Sequence, residues 1–136
     1  MGRTAQLSIA LLVLIAGCWQ EPNASTVVGR FFANHGIGLD CLDVRKDGTY
    51  SHVFQRGQQT PIVESGRWSF EELPDGGKAI VFTDFTPRWE EEGDTTPGHW
   101  PARTSVSWLG HVELLINDDL GYNYVQRNSP CRPGGG

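Results

Sequence analysis

Chemistry-bearing side chains concentrate in one irregular stretch, Pro87 to Arg103. It holds Trp89 and Trp100, the acidic run Glu90-Glu91-Glu92 with Asp94, and His99. Carboxylates beside a histidine suit a divalent cation, and a tryptophan pair suits a sugar or a peptide. Nothing in the run fixes ligand spacing, so no metal is assigned. A long stretch without structure of its own is either functional or disordered. Trp89, His99 and Trp100 therefore stand as a candidate ligand or partner loop. The rival reading is a solvated loop whose tryptophans pack over one end of the fold.

Catalysis finds little else to use. Histidines stand at positions 35, 52, 99 and 111, but no GxSxG elbow accompanies the serines. His52 alternates with Tyr50 and Phe54, which predicts a partly buried, satisfied histidine. Glu71-Glu72 adjoins a turn and reads as solvated charge rather than a glycosidase pair. Gly134 to Gly136 is a tail, not a phosphate loop. The expectation is a non-catalytic protein without a cofactor. A hydrolase using His99 or His111 with the loop carboxylates is a weaker rival.

Three cysteines, at 18, 41 and 131, make an odd count, and no CxxC spacing points to a redox or zinc motif. The first follows a signal-like segment. Met1 to Gln6 carries only Arg3 as charge, and Leu7 to Ile15 is apolar apart from Ser8. That run is shorter than the roughly 18–20 residues needed to span a bilayer. Small residues Ala16 and Gly17 then precede Cys18.

Leu14-Ile15-Ala16-Gly17-Cys18 resembles the lipobox of bacterial lipoprotein signal peptides, with Ile15 where that family usually has Leu. The resemblance implies that residues 1–17 are removed and that Cys18 is lipidated as the first mature residue. Residues 18–26 then form a polar tether, with Trp19 suited to the headgroup interface. The family's inner-membrane retention signal is an Asp after the cysteine. Trp19 takes that place, which implies the periplasmic face of the outer membrane. An ordinary secretory signal with Cys18 incidental is the alternative. With Cys18 spent on lipid, Cys41 and Cys131 remain as a pair for a disulfide in an oxidising compartment. Two unpaired thiols, or one reactive thiol, are the rivals.

Residues 27–131 are long enough for one domain, with 132–136 as a flexible tail. The formal charge of the chain is -5, and no basic run or stripe exists, which argues against nucleic acid. A monomer is expected. No segment keeps a helical period, and short strands alternate with turns instead. They run over Val27–Ala33, Leu39–Arg45, Thr49–Gln55, Ile62–Phe70, Lys78–Phe85, Thr104–Leu109, Val112–Asn117 and Tyr122–Gln126. Asp47-Gly48 is a hairpin signal in which both turn residues would take positive φ.

Eight strands joined mostly by tight turns predict an all-β antiparallel up-and-down meander, closed or nearly closed into a small barrel. A β-sandwich is the alternative. Asp47-Gly48-Thr49-Tyr50 and Ser65-Gly66-Arg67-Trp68 resemble the turn-to-strand pieces of small lipocalin-like bacterial lipoproteins. Gly29-Arg30-Phe31 is similar to the lipocalin GxW start, with Phe where Trp belongs. The resemblance implies a binding module for a small apolar ligand or an envelope partner at the membrane surface. The alternative is a structural or interaction protein without a cavity, its interior filled by Trp68, Phe70, Phe82 and Trp108.

Overall fold

A computed structural model describes residues 21–88 and 96–132. It contains eight strands: β1 (Gly29–Ala33), β2 (Leu39–Val44), β3 (Thr49–Gln55), β4 (Ile62–Glu72), β5 (Lys78–Phe85), β6 (Gly98–Val106), β7 (Val112–Asn117) and β8 (Tyr122–Gln126). Each pairs antiparallel with the next. β8 returns to β1 through Phe31↔Gln126, Phe32↔Val125 and Ala33↔Tyr124, so the meander is a closed barrel. The sandwich alternative falls away.

Strand periodicity decides what lies inside. Successive side chains point to opposite faces, so one register fixes the interior set. Phe31, Leu42, Tyr50, Ile80, Phe82, Leu114, Tyr122 and Tyr124 are all fully buried. Partly buried Trp68, Phe70, Trp100 and Ile116 pack against them. An eight-stranded barrel is just wide enough for its own side chains or one small ligand. Here large side chains occupy the interior positions.

One irregularity serves this packing. The β5–β6 register shifts between Phe82 and Phe85, and Asp84 within the shift has φ 56°. A bulge re-aims the residues beyond it. Phe85 is thereby fully buried, stacked on His52 with ring centroids 4.9 Å apart. Nearby, Tyr50 reaches across Gly66 to donate its hydroxyl to the Thr83 carbonyl at 2.7 Å. A Cβ at Gly66 would collide with that carbonyl and with the Tyr50 ring.

The two ends of the barrel differ. One carries the turns after β2, β4 and β6 together with the start of β1 and the end of β8. These three turns share one pattern. The hydrogen bonds Arg45 N→Thr49 O and Gly48 N→Arg45 O recur as Leu73 N→Gly77 O with Gly76 N→Leu73 O, and as Ser107 N→His111 O with Gly110 N→Ser107 O. Gly48, Gly76 and Gly110 each have φ near +80° (80°, 82° and 81°). This is a type I turn followed by a left-handed glycine. Asp47 therefore keeps negative φ, unlike the expectation for Asp47-Gly48. It serves instead as acceptor for Thr49 N at 3.0 Å and Thr49 Oγ1 at 2.6 Å.

The chain enters at this end through a turn. Asn23 Oδ1 accepts from Ser25 N at 2.9 Å and Thr26 N at 3.2 Å. Val27 follows and is fully buried. Residues 23–26 of the expected tether thus belong to the folded unit. On the outer face of β2, Cys41 is bonded to Cys131 across 90 residues, with Cα atoms 5.7 Å apart.

The sixth strand differs most from expectation. It spans Gly98–Val106 rather than Thr104–Leu109. Its pairing with β7 ends at Val106↔Val112, and closing the turn consumes Ser107 to His111. Trp108 consequently sits on the turn, 88% exposed, and does not fill the interior. β4 also runs on to Glu72, two residues past Phe70.

Candidate functional site

The other end of the barrel gathers its polar side chains. It carries the connections after β1, β3, β5 and β7. Asp40 from β2, His52 from β3, Glu64 from β4, and Tyr122 and Tyr124 from β8 all point inward, and Arg88 follows β5. Asp40 sits on the inward phase of Leu42 and Val44. Glu64 is on the inward phase of Gly66 and Trp68. Strand register therefore places both carboxylates inside.

Asp40 is the hub. Its Oδ1 accepts from His52 Nε2 at 2.8 Å and Tyr124 OH at 2.6 Å. Its Oδ2 accepts from His35 Nε2 at 2.9 Å and Tyr122 OH at 2.7 Å. The two hydroxyls are also 2.7 Å apart. Two phenolic protons thus serve three short contacts, two of them to the Asp40 carboxylate. His35 reaches in from the β1–β2 connection and stacks on Tyr122, ring centroids 5.1 Å apart. The backbone N–H of Ile37 donates to His35 Nδ1 at 3.0 Å, which assigns the proton to Nε2.

His52 bridges two carboxylates. Its Nδ1 lies 3.3 Å from Glu64 Oε2, so both ring nitrogens face acceptors and the pattern calls for the imidazolium. Glu64 in turn accepts from Arg88 Nη2 at 2.7 Å. Arg88 also lies over the Phe54 ring, 5.8 Å from its centroid, and its backbone N–H donates to Tyr122 OH at 3.3 Å. Asp40 and Glu64 are balanced by His52 and Arg88. Burying charge is tolerable only when it is paired and hydrogen-bonded. The four charges are paired, and among them only Arg88 Nε is buried without a hydrogen-bond partner among the described residues.

The same contacts set the titration. Burial pushes Asp40 upward, but hydrogen bonds from His35, His52 and Tyr124 outweigh it and hold the carboxyl well below the usual range. Burial pushes His52 downward, yet Asp40 and Glu64 together raise it. Glu64 is lowered despite its own desolvation, chiefly through His52, with Arg88 assisting. Burial first, and the Asp40 charge second, raise both Tyr122 and Tyr124. The phenols therefore stay protonated as donors.

The residues singled out from sequence are not brought together. His99 faces outward from β6 and is exposed, whereas its neighbour Trp100 turns inward against the core. Both lie on a strand, not on a loop. Trp89, Cys18 and the acidic run Glu90 to Glu92 with Asp94 lie outside the described residues. His111 is exposed at the start of the β7 hairpin arm. His52 is buried and fully bonded, in line with its alternation. Among the described residues, no three His, Cys, Asp or Glu side chains are arranged to hold a metal ion. Asp40, Glu64, Tyr122 and Tyr124 were missed as a group. Their inward parity was the available signal, whereas nothing in the sequence aims His35 from its connection.

Comparison with protein-family models, with curated proteins and with solved structures finds no match for this chain.

Proposed function

We propose that this chain is a lipid-anchored envelope protein whose barrel is a non-catalytic module that engages an envelope partner with its outer surface. The observation that carries this reading is the filled interior. Large apolar side chains occupy the middle of the barrel, and the Asp40–His52–Glu64–Arg88 cluster occupies one end. Such an interior favours surface recognition over an apolar ligand held inside. It equally supports the cavity-free structural role. Catalysis is disfavoured because the buried acids and the histidine between them already spend their polar atoms on one another. The anchor rests on the lipobox resemblance at Cys18. The disulfide suits an extracytoplasmic compartment.

Native mass spectrometry of protein extracted gently from its own membranes tests both parts. The expected spectrum shows acyl mass on Cys18, with a partner protein on part of the population. A stoichiometric small apolar ligand would overturn the surface reading. A processed, unacylated N-terminus, or membrane retention of a Cys18→Ala variant, would overturn the anchor.

A further inference from the structure

We infer that the β6–β7 turn is a membrane-docking tip, with Trp108 and Leu109 seated in the interface of the bilayer that anchors the chain. This inference rests on the lipid-anchored reading of Cys18. Among the described residues Trp108 is the most exposed large hydrophobic side chain, at 88%, and Leu109 beside it is 61% exposed. Adjacent exposed apolar residues on a rigid turn have no packing role in the fold. A lipid surface would supply one, since tryptophan is favoured at the headgroup level.

Topology puts this tip where the bilayer would be. The turn stands at the barrel end through which the chain enters, and only β8 separates β7 from β1. Two strand spacings, roughly 10 Å, therefore lie between the two strands. The described chain begins at Glu21, and the turn from Asn23 to Thr26 leads directly to buried Val27. Glu21 lies three residues after Cys18. Fully extended, that stretch spans at most about 10 Å. A lipid on Cys18 would hold this end of the barrel, and not the polar one, against the membrane.

The tip is built to keep its shape. Ser107 N donates to His111 O at 2.8 Å and Gly110 N to Ser107 O at 2.8 Å, while Ser107 Oγ accepts from His111 N at 3.2 Å. Little ordering is needed on contact, so burial of the two side chains is retained as binding. Charges of both signs rim this end, with Arg45, Lys46, Asp47 and Asp75 exposed on the neighbouring turns. Docking therefore depends on apolar insertion, and neutral lipid suffices.

The test uses full-length protein extracted from its own membranes and reconstituted into phosphatidylcholine vesicles with brominated acyl chains. Tryptophan quenching is compared between the wild type and Trp108→Phe, which keeps the exposed turn. Trp19 beside the anchor gives a background common to both. The expected result is that background in both proteins, with an added, salt-insensitive quenching component that only the wild type shows. Equal quenching in the two proteins overturns the proposal, as does protein that fails to join the vesicles. The acyl mass on Cys18, read from the same sample, shows separately whether the anchor itself stands.

Discussion

Asp40 and His52 meet diagonally across β2 and β3, with Nε2 2.8 Å from Oδ1 and both side chains at most 1% exposed. The opposite pairs in this ladder are Asp40↔Phe54 and Leu42↔His52, so the contact depends on the twist of neighbouring strands. The consequences of that pairing can be measured.

Asp40→Asn keeps the shape and removes the charge. His52 and Glu64 would lose their balance with Arg88, and the new amide nitrogen would face donors. Breaking a buried pair from one side costs about 3–5 kcal/mol. Chemical denaturation should show a loss of that size, and a change below about 1 kcal/mol would mean that the cluster contributes little.

Stability should fall on both sides of neutrality. Asp40 and Glu64 titrate below their ordinary values, so their contribution is present above about 4 and is lost as pH drops through the lowered values. His52 titrates above its ordinary value. Its contribution is complete below about 6.5 and is lost as pH rises through the raised value. Melting temperatures across this range should show the alkaline decline in the wild type. His52→Gln should start lower and lack that slope. An unchanged slope would assign the decline to another group.

Reducing the Cys41–Cys131 bond opens a closure of 90 residues. In the chain-entropy account this costs about 4.6 kcal/mol. The reduced protein, or a Cys41→Ala and Cys131→Ala pair, should melt well below the oxidised one. Equal melting would show that strand pairing alone supplies the closure.

Gly66→Ala places a methyl against the Thr83 carbonyl and the Tyr50 ring. Overpacking of this kind costs typically about 1–3 kcal/mol. Because the carbonyl is backbone, Tyr50→Phe should not restore the loss. Full recovery in the double variant would locate the clash at the hydroxyl alone.

The strand pattern made most of this fold legible. Alternation assigned the faces of β3 correctly, and glycine-bearing turns marked the hairpins. β6 escaped because Gly98 and Pro101 weaken a strand signal that pairing with β5 restores. Trp108 is misplaced by sequence for the same reason: with Gly98 to Arg103 unmarked, a strand of ordinary length over 104–109 runs into the turn that Ser107 to His111 form. The polar cluster required contacts between residues as distant as Asp40 and Tyr122, which strand parity alone does not assemble. His35 is held by its connection and its stacking partner, neither of which has a sequence signature.

The seam between β1 and β8 also governs the order of assembly. Phe31 and Phe32 cannot find Gln126 and Val125 until nearly the whole chain is present. Before that moment both outer strands of the growing meander are open edges, available to any other strand nearby. Such long-range closure is slow compared with hairpin formation. A chain cut short before Tyr122 would keep all seven preceding strands and still expose two sticky margins. Completion of β8, rather than collapse of the core, is the step that turns this sequence from an association hazard into a self-contained molecule.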